Sequence, residues 1–182
     1  MNSATDPDWS REQPQNFWDP ARRLLLHVRR YQSISGNGLW ARWRRKFHVA
    51  GHIFWSAVSG ADIPLNSHIE GGLRLPHPNG VVIHPAAKIG PNCLIFQQVT
   101  IGKSSSSIGA PQIGGHVDIG AGAKILGGIT IGDHVKIGAN AVVLCDVPAG
   151  ATAVGVPARV LLTPRDCRGA DINHNLETTK PT

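Results

Sequence analysis

Residues 113–147 read IGGHVDIGAGAKILGGITIGDHVKIGANAVVLCDV, and an aliphatic side chain returns there at every sixth place: Ile113, Ile119, Ile125, Ile131, Ile137 and Val143. Four residues after each of these stands a second small or aliphatic residue, namely Val117, Ala123, Ile129, Val135, Ala141 and Val147. A helix face repeats about every 3.6 residues and a half-buried strand about every two, so a period of six sustains neither. It suits a coil in which each six-residue unit makes one short strand and one turn, with three units closing a triangular rung of about eighteen residues. The repeat aliphatics then stack in columns inside a prism.

Read toward the N-terminus, the same period continues through Ile101, Ile95, Ile89 and Ile83, then Leu75, Ile69 and Ile63. Ser67, Leu73, Ala87, Cys93 and Val99 fill the second column. Two interruptions break the pattern. Between Leu75 and Ile83 the spacing is eight, so two extra residues bulge at His77-Pro78-Asn79-Gly80. Between Ile101 and Ile113 the stretch KSSSSIGAPQ (103–112) has no repeat and is expected to protrude as a loop. A smooth solenoid needs neither break, and loops on a rigid scaffold are where chemistry is placed.

The composition agrees with a narrow aliphatic core. Of 182 residues 41% are hydrophobic but only 5% aromatic, and glycine reaches 21. The net charge of +6 is unevenly placed: Arg22, Arg23, Arg29, Arg30, Arg42, Arg44, Arg45 and Lys46 all precede residue 50, so the charge is no argument for a nucleic-acid-binding main domain. Cys93, Cys145 and Cys167 show no CxxC spacing and cannot pair completely, which points to a reducing, cytoplasmic compartment. The opening MNSATDPDWSREQPQ has acidic residues and prolines where a signal peptide needs a basic and then an apolar run. No apolar run is long enough for a transmembrane segment.

Four segments follow: a flexible tail over 1–17, a helical segment over 18–60, the β-helix over 61–162 and a C-terminal tail over 163–182. Asp19-Pro20 reads as a helix start, with Asp as N-cap and Pro in the first turn. Leu24, Leu25, Val28 and Tyr31 keep helical spacing, and 33–38 supply a break. A second helix is predicted over Leu39–Val58, with Trp40, Trp43, Phe47, Ile53 and Phe54 as its apolar positions. Such a pair fits packing against the main domain or a neighbouring subunit, the other reading being a membrane-surface or RNA-binding patch.

Among nine histidines, His77 stands at a repeat break where its ring can point outward, and it is the candidate general base. Asp62 precedes it by fifteen residues, near one rung, so the winding brings a carboxylate toward the same corner to orient the imidazole. A backbone N–H near Gly102 is the candidate oxyanion donor. His68, His77, His84, His116 and His134 show no ligand pair on one face, and no metal site is expected.

Several motifs together resemble the hexapeptide-repeat acyltransferases, and within them the serine acetyltransferases and the similar exopolysaccharide acetyltransferases. They are ADIP (61–64), LPHPNGVVI (75–83), QQVTIG (97–102), IGAGAKILGGITIG (119–132), KIGANAVVLCDVP (136–148) and VGVPARV (154–160). The resemblance implies a mainly β fold, a left-handed parallel β-helix with a short N-terminal helical segment. It also implies transfer of acetyl from acetyl-CoA to an acceptor hydroxyl, with no metal, and a His-Asp dyad falling on His77 and Asp62. The acetyl-CoA groove it implies lies between subunits of a homotrimer or dimer of trimers, with Gly102, Ala123, Lys136, Ala141 and Arg159 at the matching positions. L-Serine is the leading acceptor, a sugar or exopolysaccharide hydroxyl the alternative, and a non-catalytic solenoid scaffold the remaining one.

This sequence departs from the family where an acceptor would be held. Serine acetyltransferases carry Asp directly before the catalytic His and an Arg-His pair before the loop proline; here the residues are Pro76, Gly109 and Ala110. The tail ends in Lys180-Pro181-Thr182 where the family often has a terminal Ile that docks into cysteine synthase, so no such complex is expected.

Overall fold

The computed structural model describes residues 3–105 and 108–161. The six-residue period becomes a parallel β-helix with three walls wound in succession, the left-handed form that the resemblance implies. Wall one opens at Asp62 and continues through β2 (Val82–Ile83), β5 (Thr100–Gly102), β8 (Lys124–Leu126) and β11 (Val142–Val143). Wall two stacks β1 (His68–Ile69), β3 (Lys88–Ile89), β6 (Gln112–Ile113) and β9 (Thr130–Ile131). Wall three runs from Arg74 through β4 (Leu94–Ile95), β7 (Asp118–Ile119), β10 (Lys136–Ile137) and β12 (Thr152–Val154), and the antiparallel β13 (Arg159–Leu161) ends it.

Register explains why the aliphatic period is strict. Ile95 pairs with Ile119 and Ile119 with Ile137, so each repeat residue sits directly on its predecessor one rung below. Ile83, Ile101 and Ile125 form the equivalent column on wall one. All of these except Ile137 and Ile83 are wholly inaccessible to solvent, and those two nearly so. The second column, including Ala87, Cys93, Val99, Ala123, Val135 and Ala141, is also buried. A one-residue slip would turn these columns outward, which fixes the register.

The corners carry the strained backbone. Asn92, His116 and His134 hold φ of 61, 54 and 58° at successive turns between walls two and three. Asn and His are among the few non-glycine residues that enter this left-handed region readily.

The helices begin and end as their sequence dictates. Helix α1 (Pro20–Gln32) is capped by Asp19, whose carboxylate accepts from the Arg22 N–H, with Pro20 in the first turn. Helix α2 (Leu39–Ser59) ends at Gly60 in the left-handed conformation, φ 67°. The inward stripe of α2 differs from expectation: His48, Trp55 and Ser59 are buried, whereas Trp40, Trp43, Phe47, Ile53 and Phe54 are exposed. Polar residues face inward because each finds a partner there. His52 Nε2 meets the Ile63 carbonyl at 2.8 Å, Ser56 donates to the Ala61 carbonyl, and His48 Nδ1 lies 3.2 Å from His27 Nδ1.

The polar N-terminus is a strap rather than the loose tail that its composition predicts. A 3-10 turn at Trp9–Glu12 puts Glu12 against Arg29, with contacts of 3.0 and 2.9 Å, and Glu12 also accepts from the Leu73 N–H. Asn92 reaches out from its corner to the strap: it accepts from the Asp8 N–H and donates to the Ser3 and Asp6 carbonyls. The expected C-terminal tail (163–182), with Cys167 and the Lys180-Pro181-Thr182 end, lies outside the described residues.

Candidate active site

The eight-residue spacing at 75–83 builds the site. Asp62 is paired with Val82, twenty residues on, so the first rung is two residues longer than a regular one. The surplus is absorbed at the turn from wall three to wall one, where Pro76 and His77 stand exposed. Backbone bonds from Gly80 N–H to the Gly60 carbonyl (2.7 Å) and from Asp62 N–H to the Val81 carbonyl (2.8 Å) stitch this turn to the segment carrying Asp62. Asp62 thus opens wall one next to the turn that carries His77; both residues are exposed, and no hydrogen bond joins their side chains.

His77 faces a cleft of about 520 Å³ between the coil, the strap and the helices. Its walls are mixed in character: Leu25, Leu73 and Leu75 supply apolar surface, while Arg11, Asp19, Arg22 and Arg74 supply charge. Asp19 is engaged by Arg22 at 2.9 Å. Burial, and then the Arg74 charge, lower the Arg11 guanidinium from its usual pKa, so two like charges converge on one opening. Such a place favours an anionic group. Sequence reasoning missed Arg11 and Arg74, because the strap that delivers Arg11 reads as unstructured.

The predicted groove residues fall in three places. Lys136 and Arg159 are both exposed on wall three, where β10 pairs with β12 and β12 with β13. Ala123 and Ala141 are fully buried, and their carbonyls accept from the Thr100 and Lys124 N–H groups. They serve packing and keep the corner slim; no side chain of theirs is offered to a ligand. Gly102 closes β5 at the far end of wall one, directly before the protruding loop, in which Ile108 is fully exposed. Within one chain, then, Gly102 lies on the edge of wall one that leads to wall two, and His77 on the opposite edge, at the turn from wall three.

His116 and His134 do form a pair on one corner, contrary to the sequence reading. They are one rung apart, with Nδ1 atoms 3.2 Å from each other. Among the described residues, no group of three His, Cys, Asp or Glu side chains is placed to hold a metal ion.

Comparison with known proteins agrees with the architecture. Residues 110–145 match the family described as bacterial transferase hexapeptide (six repeats). A serine acetyltransferase of Bacillus licheniformis is 36% identical over 170 residues, covering 86% of this chain and 77% of that protein. The chain belongs to the serine acetyltransferase family. A probable serine acetyltransferase of rice, Oryza sativa subsp. japonica, is 45% identical over 153 residues, covering 79% of this chain and 45% of that protein. The solved soybean serine acetyltransferase complexed with serine superposes with a TM-score of 0.65 at 38% identity, covering 80% of this chain and 58% of that one. The chain spans about half the length of the curated plant relatives it matches, with 45, 50 and 55% covered.

Proposed function

We propose that this chain transfers acetyl from acetyl-CoA to the hydroxyl of L-serine, with His77 as general base and Asp62 orienting it. The observation that carries this reading is the position of His77: an exposed imidazole at a repeat break, facing a cleft whose guanidinium groups suit an acceptor carboxylate. His77 takes the proton from the attacking hydroxyl as its oxygen forms a bond to the thioester carbonyl carbon. The C–S bond then breaks, and His77 returns the proton to the departing CoA sulfur. Such a base contributes about 10²- to 10⁴-fold. Asp62, next to the turn that carries His77, stabilises the charged imidazolium.

Arg11 and Arg74 take the place of the Arg-His pair that Gly109 and Ala110 leave out, by offering a charge-assisted contact to the serine carboxylate. Lys136 and Arg159 face the CoA phosphates on wall three. Lys136 lies three rungs above Arg74, the residue leading into the His77 turn. At about 4.8 Å per rung this is roughly 14 Å, within the reach of an extended pantetheine arm. A backbone N–H near Gly102 serves as oxyanion donor, supplied across a subunit boundary in a trimer.

A sugar hydroxyl is the second reading, and the sequence departure at Pro76, Gly109 and Ala110 favours it. CoA release with serine, measured against a panel of sugars, separates the two. Saturable turnover with serine, lost in His77→Ala, is the expected result. Turnover with sugars alone overturns the serine assignment, and a His77→Ala enzyme of near-full rate overturns the dyad.

A further inference from the structure

Helix α2 has two stripes, and only one of them is used within the chain. His48, Trp55 and Ser59 pack inward. Roughly on the outward side, at helical spacing, stand Trp40 (85% exposed), Trp43 (71%), Phe47 (66%) and Phe54 (54%). Leu39, Ile53 and Val58 extend this surface, and the exposed Trp18, just before α1, adds to it from over the edge of the buried Trp55. Isolated exposed apolar residues are ordinary, but a continuous aromatic stripe along a 21-residue helix marks an interaction surface.

Charge identifies the partner. From Pro20 to Ala61 there are eight Arg and Lys residues and no Asp or Glu. Asp19 pairs with Arg22 and Glu12 with Arg29. Arg23, Arg30, Arg42, Arg44, Arg45 and Lys46 form no ion pair among the described residues. By helical geometry Arg44 flanks the aromatic stripe on one side, with Arg42 and Lys46 on the other. The β-helix from 61 to 161 is close to neutral, with five acidic and six basic residues, so the charge belongs to the hairpin.

We propose that the α1–α2 hairpin docks on an anionic lipid bilayer, with α2 lying in the interface plane, its Trp and Phe rings among the headgroups and its basic flanks on the lipid phosphates. A second copy of this hairpin is a poor occupant, because it would bring the same unpaired cations against themselves. No helix among the described residues is long and apolar enough to cross a membrane, so the contact is peripheral. The hairpin also forms one wall of the His77 cleft, through Ala21, Leu25 and Val58, so docking holds that cleft close to the lipid surface.

The test is co-sedimentation of the full chain with vesicles of phosphatidylcholine alone or with about a third phosphatidylglycerol, alongside its mass in solution. Binding to the anionic vesicles is expected at least about tenfold tighter than to the neutral ones, and weakened at high salt. Trp40→Ala/Trp43→Ala and, separately, Arg42→Glu/Lys46→Glu are each expected to weaken it about tenfold or more with an unchanged circular dichroism spectrum. These side chains are exposed, so the variants keep the fold. Absence of binding to anionic vesicles overturns the proposal. So does tryptophan-variant binding equal to wild type, or an assembly whose mass falls in that variant while vesicle binding stays the same, since the stripe is then a subunit contact.

Discussion

Replacing Asn92 tests how the strap is held and what it does for the cleft. Asn92 is 2% exposed, and its side chain makes three bonds to the strap, of 2.8, 2.7 and 2.8 Å, at a backbone φ of 61°. Asn92→Ala removes all three, each worth about 1 kcal/mol net. It also places a Cβ without compensating polar groups in the left-handed region, at about 1 kcal/mol. The sum is about 4 kcal/mol, but the strap partners lie near the surface, where water replaces part of what is lost. The expected global loss is therefore about 2 kcal/mol. Asn92→Gly loses the same bonds without the backbone strain, so it separates the two contributions. Urea unfolding measures the global loss, and trypsin cleavage after Arg11 reports the strap directly. Arg11 also donates to the Asn92 carbonyl at 2.6 Å, so cutting there is expected to accelerate about tenfold or more in both variants. If Asn92→Ala unfolds within about 0.5 kcal/mol of wild type and Arg11 stays protected, the reasoning about Asn92 fails.

Three further outcomes follow from burial and close approach. A methyl group at Gly120 would lie 2.6 Å from the Ala139 backbone nitrogen one rung above, so Gly120→Ala is expected to cost about 2 kcal/mol in urea unfolding; unchanged stability would refute the tight rung spacing. His27 and His48 are both held below 6.5, by burial first and then by neighbouring positive charge. The folded state thus resists a proton that the unfolded chain accepts, and stability is expected to fall as pH drops below about 6.5. Thermal melts from pH 8 to 5 check this, with a shallower slope expected in His48→Gln and an equal slope counting against it. Burial pushes the Cys93 thiol up to about 11, whereas Cys145 is exposed. Iodoacetamide on the native protein at mildly alkaline pH is expected to label Cys145 and spare Cys93, as read by peptide mass spectrometry; native labelling of Cys93 would contradict the closed prism.

The coil was legible because rung geometry imposes its period on every residue of the columns, so thirteen aliphatic positions repeat one constraint. The helices were legible at their ends, where Asp19-Pro20 and Gly60 act through local chemistry. Their packing was not. Helix α2 has two stripes with the same helical period, and the more apolar one is the one left outside. The choice was made by Ser56, His52 and His48, whose polar atoms find partners outside α2, at Ala61, Ile63 and His27. The strap was missed for the same reason: it is held by Glu12 and Asn92 through bonds spanning up to 89 residues, which composition does not register. The His116–His134 contact, by contrast, was available from the rung length, because eighteen residues separate two identical corner positions.

The division between columns and corners also bears on how an acceptor is chosen. A column residue such as Ile119 is constrained by the residues above and below it, and a change there is felt through the stack. Pro76, His77, Gly109 and Ala110 lie in the two interruptions and belong to no column. Pro76 and His77 line the cleft, so substituting them alters it without disturbing the registered core, and acceptor contacts can change there while the prism keeps its stability. That is the pattern this chain presents: the columns retain the family's repeat, and the departures from its acceptor-holding residues fall at a turn and a loop. Arg11 and Arg74 reach the same cleft from outside the columns, one on a strap and one on an exposed strand position. An Arg74→Gln enzyme, which loses one positive charge, is therefore expected to unfold like wild type within about 0.5 kcal/mol. Its KM for serine is expected to rise about tenfold or more, with kcat little changed, because the interaction lost is uniform binding. A fall in kcat at constant KM would place Arg74 in the chemical step and refute its role as a carboxylate anchor.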